Sequence, residues 1–497
     1  MKEKLLKINY LNIVITLLMV AILFVRIENN LLKYISCITV VIISVVLSIV
    51  LKKLDSKKIK FEYYYLIFAI ILGILYLIFL PVAENPDSNA DYLRSLEISN
   101  FNITTPIKDG KVGREYPKTI DKVYRLVRIK NVKYKDVKET LDYKLEGDTK
   151  FYEYANKAFY AFPCYIPQAV GIGIGRLLNL PIYYQSIIGR AFNYAVFVFF
   201  VFLAIKFIPV KKELVFLIAL LPITIQEAIS LSPDCITIAT SILFVSLIVH
   251  FKVSKNILSK KWKILLFLIA ILLSLSKIVY VPICFLIFLL PNECFKTKKE
   301  KYVYCMLLSF VSLGINLLWL TKSSQYLVAY KAITDSKQQL QFIMDHPLRY
   351  VLIMINTFEV FCIDWINQLI GYALGRYHIG IPAIIITIFF VLLLRSIISN
   401  SNNNKKRLFN KFNMLYITAI VMIVAVLICN SLYLECTPLF VGHIDGIQGR
   451  YFTPLLLIIS MIFMDNNKEK ENNNNSLIRY TVLANILAIV FIINYFI

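Results

Sequence analysis

What most constrains this chain is a series of apolar runs, each close to the length of one bilayer crossing. They occupy residues 9–27, 34–51, 61–82, 182–207, 213–231, 235–251, 301–321, 379–398, 412–434, 450–465 and 479–497. A helix of about 20 apolar residues covers the roughly 30 Å of bilayer hydrocarbon. Composition points the same way: 58% of residues are hydrophobic and 17% charged, against about 45–50% and about 25% in soluble chains. The expected class is an all-α polytopic membrane protein with a large extracytoplasmic loop domain.

Residues 262–291 form a run too long for one span and short for two. Lys277 divides it into 264–276 and 278–290, which predicts two short tilted helices meeting at an apex below the outer surface. That makes thirteen spans. Basic residues crowd beside the apolar runs: Lys2–Lys7, Lys52–Lys60, Lys206 with Lys211 and Lys212, Lys252–Lys263, Lys296–Lys301 and Arg395–Lys411. Placing these in the cytoplasm, N-terminus included, satisfies the positive-inside rule. The price is that 161–178 and 350–372, both interrupted by polar or glycine positions, become re-entrant or interfacial. The formal charge of +23 is thus a membrane signature; no basic stretch is interleaved with base-stacking aromatics, so nucleic acid is not an expected partner. Richness in Ile, Lys and Asn fits an AT-rich bacterial genome, so a bacterial plasma membrane is the expected location.

Residues 83–160 differ sharply, with 15 basic and 13 acidic side chains. This stretch reads as an extracytoplasmic excursion containing a small ordered domain. Low-complexity segments Asn400–Lys406 and Asn466–Asn475 read as polar cytoplasmic loops. The chain therefore divides into two leading spans (1–60), a core (61–465) and a last loop and span (466–497). The nine cysteines show no CxxC and no His at metal-ligand spacing, and read as small apolar residues.

On this topology the unusual polar residues gather at one face. Asp87 and Asp91 stand four apart, on one side of a helix if the chain turns helical there. Such a pair suits general-base chemistry or a hard divalent cation; it also suits two solvated acids. Ser232-Pro233-Asp234 reads as an ordinary helix start that could also hold a phosphate. Lys277 either snorkels or offers its ammonium to a lipid phosphate. Arg450, beside Gly449, could clamp a diphosphate, with Arg349 a weaker counterpart. Glu84, Arg94, Tyr280, His346, Glu435, His443, Asp445, Gln448 and Tyr451 complete the set. Gly171, Gly173 and Gly175 imitate a nucleotide loop, but no strand precedes them; close helix packing explains them better.

Several blocks in this order resemble the bacterial multispanning membrane family of domain of unknown function 2142. They are Asn85-Pro86-Asp87 with Asp91 and Arg94, Ile166-Pro167-Gln168 with Gly171, Gly175 and Arg176, and Gly189-Arg190 with Asn193. Leu231-Ser232-Pro233-Asp234, Ser276-Lys277 with Tyr280 and Pro282, and Gly446 to Phe452 with Pro454 follow. The front motif departs from the family's usual Pro-Asp-Glu-x-x-His, with Ser88 in place of Glu and Asp91 in place of His. The layout, a span followed by a large external loop opening on an acidic motif, is similar to the C-type glycosyltransferases. That likeness implies sugar transfer from a polyprenyl-phosphate donor to a glycan acceptor in envelope assembly, with Asp87 and Asp91 catalytic. Arg94, Asp234, Lys277, Tyr280, Arg349, Gln448, Arg450 and Tyr451 would then bind substrate. A flippase would instead need polar residues through the membrane centre and related halves, and an assembly partner would depend on residues 100–155 rather than on Asp87.

Overall fold

The computed structural model describes residues 10–326, 335–398, 407–439, 441–465 and 475–497. The basic run Lys2–Lys7 and the linkers at 400–406 and 466–474 lie outside the described residues. Among those described, eight helices are long and apolar enough to cross a membrane: Asn30–Ser56, Phe61–Phe79, Ile182–Phe207, Asp234–Ser254, Lys298–Tyr326, Pro347–Ile370, Lys411–Glu435 and Asn475–Phe496. Asn12–Arg26, Ile278–Leu289, Ala383–Ile398 and Gly449–Met461 are apolar but shorter. The protein is an all-α membrane protein with little sheet.

Two helices form the centre: in an apolar 18-residue stretch of each, 83% of Asp234–Ser254 and 89% of Asn475–Phe496 is buried, against 22% for Pro347–Ile370 at the edge. Outer helices present Leu17, Ile38, Ile74, Phe310 and Leu415 outward, the apolar coat that hydrocarbon requires. Helices Ile166–Leu177 and Ile182–Phe207 pack backbone against backbone. A Cβ on Gly171 would lie 2.6 Å from the Ile188 carbonyl oxygen and 2.8 Å from Gly189 Cα, so the glycines serve helix packing.

Several expected spans take a different form. The run 213–231 is not one helix but two short ones, Lys212–Ala219 and Pro222–Ala228. Pro222 starts the second, and Leu221 before it is extended, as the lost N–H and the ring's clash with the preceding residue dictate. The stretch 350–372, expected to be interrupted, is the continuous 24-residue helix Pro347–Ile370, ended by Gly371 at φ 116°. Its polar Glu359 and Asp364 sit on the exposed side and break nothing. Residues 161–178 do form a short element: a 3₁₀ turn leads into Ile166–Leu177, about 18 Å long and too short to cross.

The break at Lys277 is where the sequence placed it. Helix Lys260–Ser276 ends there, Lys277 is extended at φ −156° and ψ 132°, and a 3₁₀ helix Ile278–Leu289 returns. The basic loops meet at the opposite end of the bundle. Lys212 pairs with Glu62, Lys255 with Glu293 and Lys263 with Glu300. Lys211 donates to the carbonyls of Ser396 and Ile397, and Lys252 lies over the Phe409 ring.

The charged segment 83–160 folds as an ordered cap. Helix Ser88–Ser99 opens it. Strands Ile107–Lys108, Lys111–Pro117 and Thr149–Glu153 form an antiparallel sheet in that order, with Gly113 opposite Glu153 and Pro117 opposite Thr149. The third strand delivers the short helix Ala155–Ala158 onto the start of the first.

Candidate functional site

Asp87 precedes helix Ser88–Ser99 with a left-handed backbone, φ 58° and ψ 14°, and its side chain caps nothing. Asp tolerates this conformation better than most residues, and here it frees the carboxylate. The ammonium of Lys157, brought in by the sheet, lies 3.2 Å from Asp87 Oδ2 and 3.4 Å from Asp91 Oδ1. Tyr165 donates its hydroxyl to Asp91 Oδ1 at 2.9 Å. Asp87 is 48% exposed, Lys157 10% and Asp91 2%. The two acids are therefore not a solvated pair, and the ammonium of Lys157 sits between them where a divalent cation was one reading. Among the described residues no three His, Cys, Asp or Glu side chains are grouped to hold a metal.

Charge and burial divide the pair. Lys157, the dominant influence, holds Asp87 below the usual carboxylate value. Burial pushes Asp91 up to about 6, against the pull of Lys157 and Tyr165 and with the help of Asp87 and Asp234. For Lys157, burial works against the charge, yet Asp91 and Asp87 together carry it above the ordinary lysine value.

From Lys157 the seam continues inward. The Tyr160 ring has Lys157 at 5.9 Å and Lys277 at 5.6 Å, and Lys277 also lies 5.2 Å from the Tyr451 ring. Lys277 pairs with Asp234, the first residue of helix Asp234–Ser254. Arg450 gives Nη1 to Glu227 at 2.8 Å and Nε to Gln448 Oε1 at 2.7 Å, and Tyr377 also donates to Gln448 at 2.6 Å. Tyr280 donates to the Tyr451 carbonyl at 2.9 Å. Asp234, Glu227, Tyr280, Arg450 and Tyr451 line one cavity of about 10 Å³, room for about one water. Asp87, Asp91, Asp234, Lys277, Tyr280, Gln448, Arg450 and Tyr451 thus lie along one continuous seam.

Arg94 and Arg349 do not join it. Arg94 is fully buried and bonds Glu97 at 2.6 Å and the Ile103 carbonyl at 2.8 Å; Glu97 also takes Arg114. Arg94 therefore staples the cap rather than facing the seam. Arg349 is exposed, over Phe342, and His443 pairs with Asp445 at 3.1 Å. Glu84 turns the other way, to Arg376 at 3.4 Å and His378 at 2.9 Å. Neither Lys157, one basic residue among many in its loop, nor Glu227, hidden in an apolar run, stands out before folding.

A family described as "Predicted membrane protein (DUF2142)" matches residues 68–459. The chain belongs to this family. The DUF2142 match contains every element of the seam, from Asp87 to Tyr451. No curated protein and no solved structure matches the chain.

Proposed function

We propose that this DUF2142 chain is a membrane glycosyltransferase that takes a sugar from a polyprenyl-phosphate donor at the extracytoplasmic face of a bacterial plasma membrane. One observation carries the reading: a half-exposed, ionised carboxylate, Asp87, opens a seam in which Lys277 and Arg450 lie at the heads of apolar helices. In the transfer the acceptor hydroxyl oxygen bonds to the anomeric carbon as the bond from that carbon to the donor phosphate breaks. The bonding pair leaves with the phosphate, and the hydroxyl proton passes to Asp87. Lys277 and Arg450 exchange Asp234 and Glu227 for phosphoryl oxygens, compensating the charge that develops there. Asp91 acts behind Asp87, keeping Lys157 in place.

The nearly filled cavity means that the seam parts to admit the donor. The test is purified chain in lipid, given polyprenyl-phosphate sugars and assayed for released polyprenyl phosphate. Asp87→Asn is expected to lower turnover at least about 100-fold, the scale of a lost general base, with folding preserved. Unchanged turnover in a folded Asp87→Asn chain overturns the assignment.

A further inference from the structure

A second cleft lies apart from the seam. It measures about 310 Å³ and is lined by Asn100, Tyr116, Arg176, Asn179 and Gln185 together with leucine and proline side chains. Leu96 and Asn100 come from helix Ser88–Ser99 and its end, but at 100° per residue they face about 140–180° away from Asp91. The cleft is therefore not an extension of the seam. Its volume falls within the range of small-ligand sites.

Arg176 supplies the cleft's charge. Its Nη1 donates to Asn100 Oδ1 at 2.5 Å and to Ser99 Oγ at 3.1 Å. Both are neutral acceptors, and no carboxylate lines the cleft. A guanidinium held by neutral oxygens beside two further amides, Asn179 and Gln185, presents an unbalanced positive charge with hydrogen-bonding groups around it. That arrangement suits a phosphate or another anion.

The surroundings identify what carries the anion. Arg176 belongs to helix Ile166–Leu177, which exposes Ile166, Val170 and Leu177 at 45%, 47% and 88%. Spacings of four and seven residues put these on one stripe, and Leu178, also exposed, continues it. The cleft also sits at the head of the span Ile182–Phe207, whose first turn carries Gln185 and the exposed Tyr184. Tyrosines in that position belong to the membrane–water interface. A polar anion pocket at interface height, with an apolar stripe on the same helix about a quarter-turn around from its charged residue, has the layout of a lipid: headgroup in the cleft, acyl chain along the stripe.

We infer that this cleft binds the phosphate headgroup of an anionic membrane lipid in the leaflet on the cap's side. The inference does not depend on glycosyl transfer, because it concerns other residues and is read by binding alone. The experiment is native mass spectrometry of the full chain in neutral detergent, titrated with phosphatidylglycerol, with phosphatidylcholine, and with inorganic phosphate as competitor. Phosphatidylglycerol is expected to be retained over phosphatidylcholine. Arg176→Gln should weaken that retention about fivefold, the scale of one basic residue at an anionic surface.

Asn179→Asp serves as the second variant. Asn179 is exposed and left-handed at φ 52°, so Asp is tolerated there and places a carboxylate beside Arg176 without touching its bonds. It should weaken retention similarly, and Leu177→Ser should weaken it in part. Equal retention of phosphatidylglycerol by the parent, Arg176→Gln and Asn179→Asp chains overturns the inference. So does equal retention of phosphatidylcholine, or displacement of the lipid by inorganic phosphate alone.

Discussion

Replacing Lys157 by methionine removes the ammonium that two carboxylates share and keeps most of its stem. Asp87 is half in water, so the loss falls on Asp91, which is 2% exposed. Removing one partner of a buried ion pair costs about 3–5 kcal/mol when the remaining charge has no other relief. Protonation is the relief open to Asp91. In the parent chain burial already lifts it from 3.8 to about 6. At about 1.4 kcal/mol per pKa unit, ionising it in the fold costs about 3 kcal/mol. A carboxyl raised in the folded state contributes stability below its unfolded value and loses that contribution as pH rises through about 6. Lys157 opposes the rise, so its removal moves Asp91 higher and extends the loss toward neutral pH. The expected result is a Lys157→Met chain close to the parent in thermal unfolding midpoint near pH 5 and progressively below it toward pH 8. Adding Asp91→Asn should abolish the extra pH dependence. A constant offset between variant and parent across the pH range, or a slope that survives Asp91→Asn, refutes the reasoning.

Asp234→Asn leaves Lys277 without its carboxylate and should destabilise the chain by about 3 kcal/mol or more, read as a lower unfolding midpoint that Asp234→Asn with Lys277→Met largely restores. Gly449→Ala places a Cβ 2.1 Å from the Trp365 carbonyl oxygen and 2.6 Å from the Leu369 nitrogen. Backbone has to shift, at about 1–3 kcal/mol or more, and turnover should fall with it because Gly449 positions Arg450. In a cysteine-free background, Asp109→Cys and Asn256→Cys should react with impermeant maleimide from opposite sides of the membrane. Labelling from the same side would dismiss the topology.

Features governed by local sequence were legible in advance. Lys277 is a charge between two apolar stretches of thirteen residues, and helix Lys260–Ser276 ends there with Lys277 extended. The i and i+4 spacing of Asp87 and Asp91 marked them as neighbours if both were helical; the helix begins only at Ser88, and Lys157 rather than a shared helix face joins them. Features set by distant pairing were not. Lys157 is positioned by a strand register between residues 113–117 and 149–153, which no short pattern encodes. Glu227 lies inside a run that reads as one span until Pro222 is weighed as a breaker. Arg94 shared the acidic motif's neighbourhood, yet its direction was decided by Glu97, three residues on.

The hairpin that ends at Lys277 stops short of its neighbours. Asn316 of helix Lys298–Ser323 donates to the Ser274 carbonyl, three residues below the turn, so about 6 Å of that helix stands beyond it. The ammonium of Lys277 is thereby set below the tip of the apolar helix beside it. An amphiphile whose charged end met Lys277 would lift it about 6 Å less than one bound at that helix tip, and would keep more of its tail among neighbouring tails.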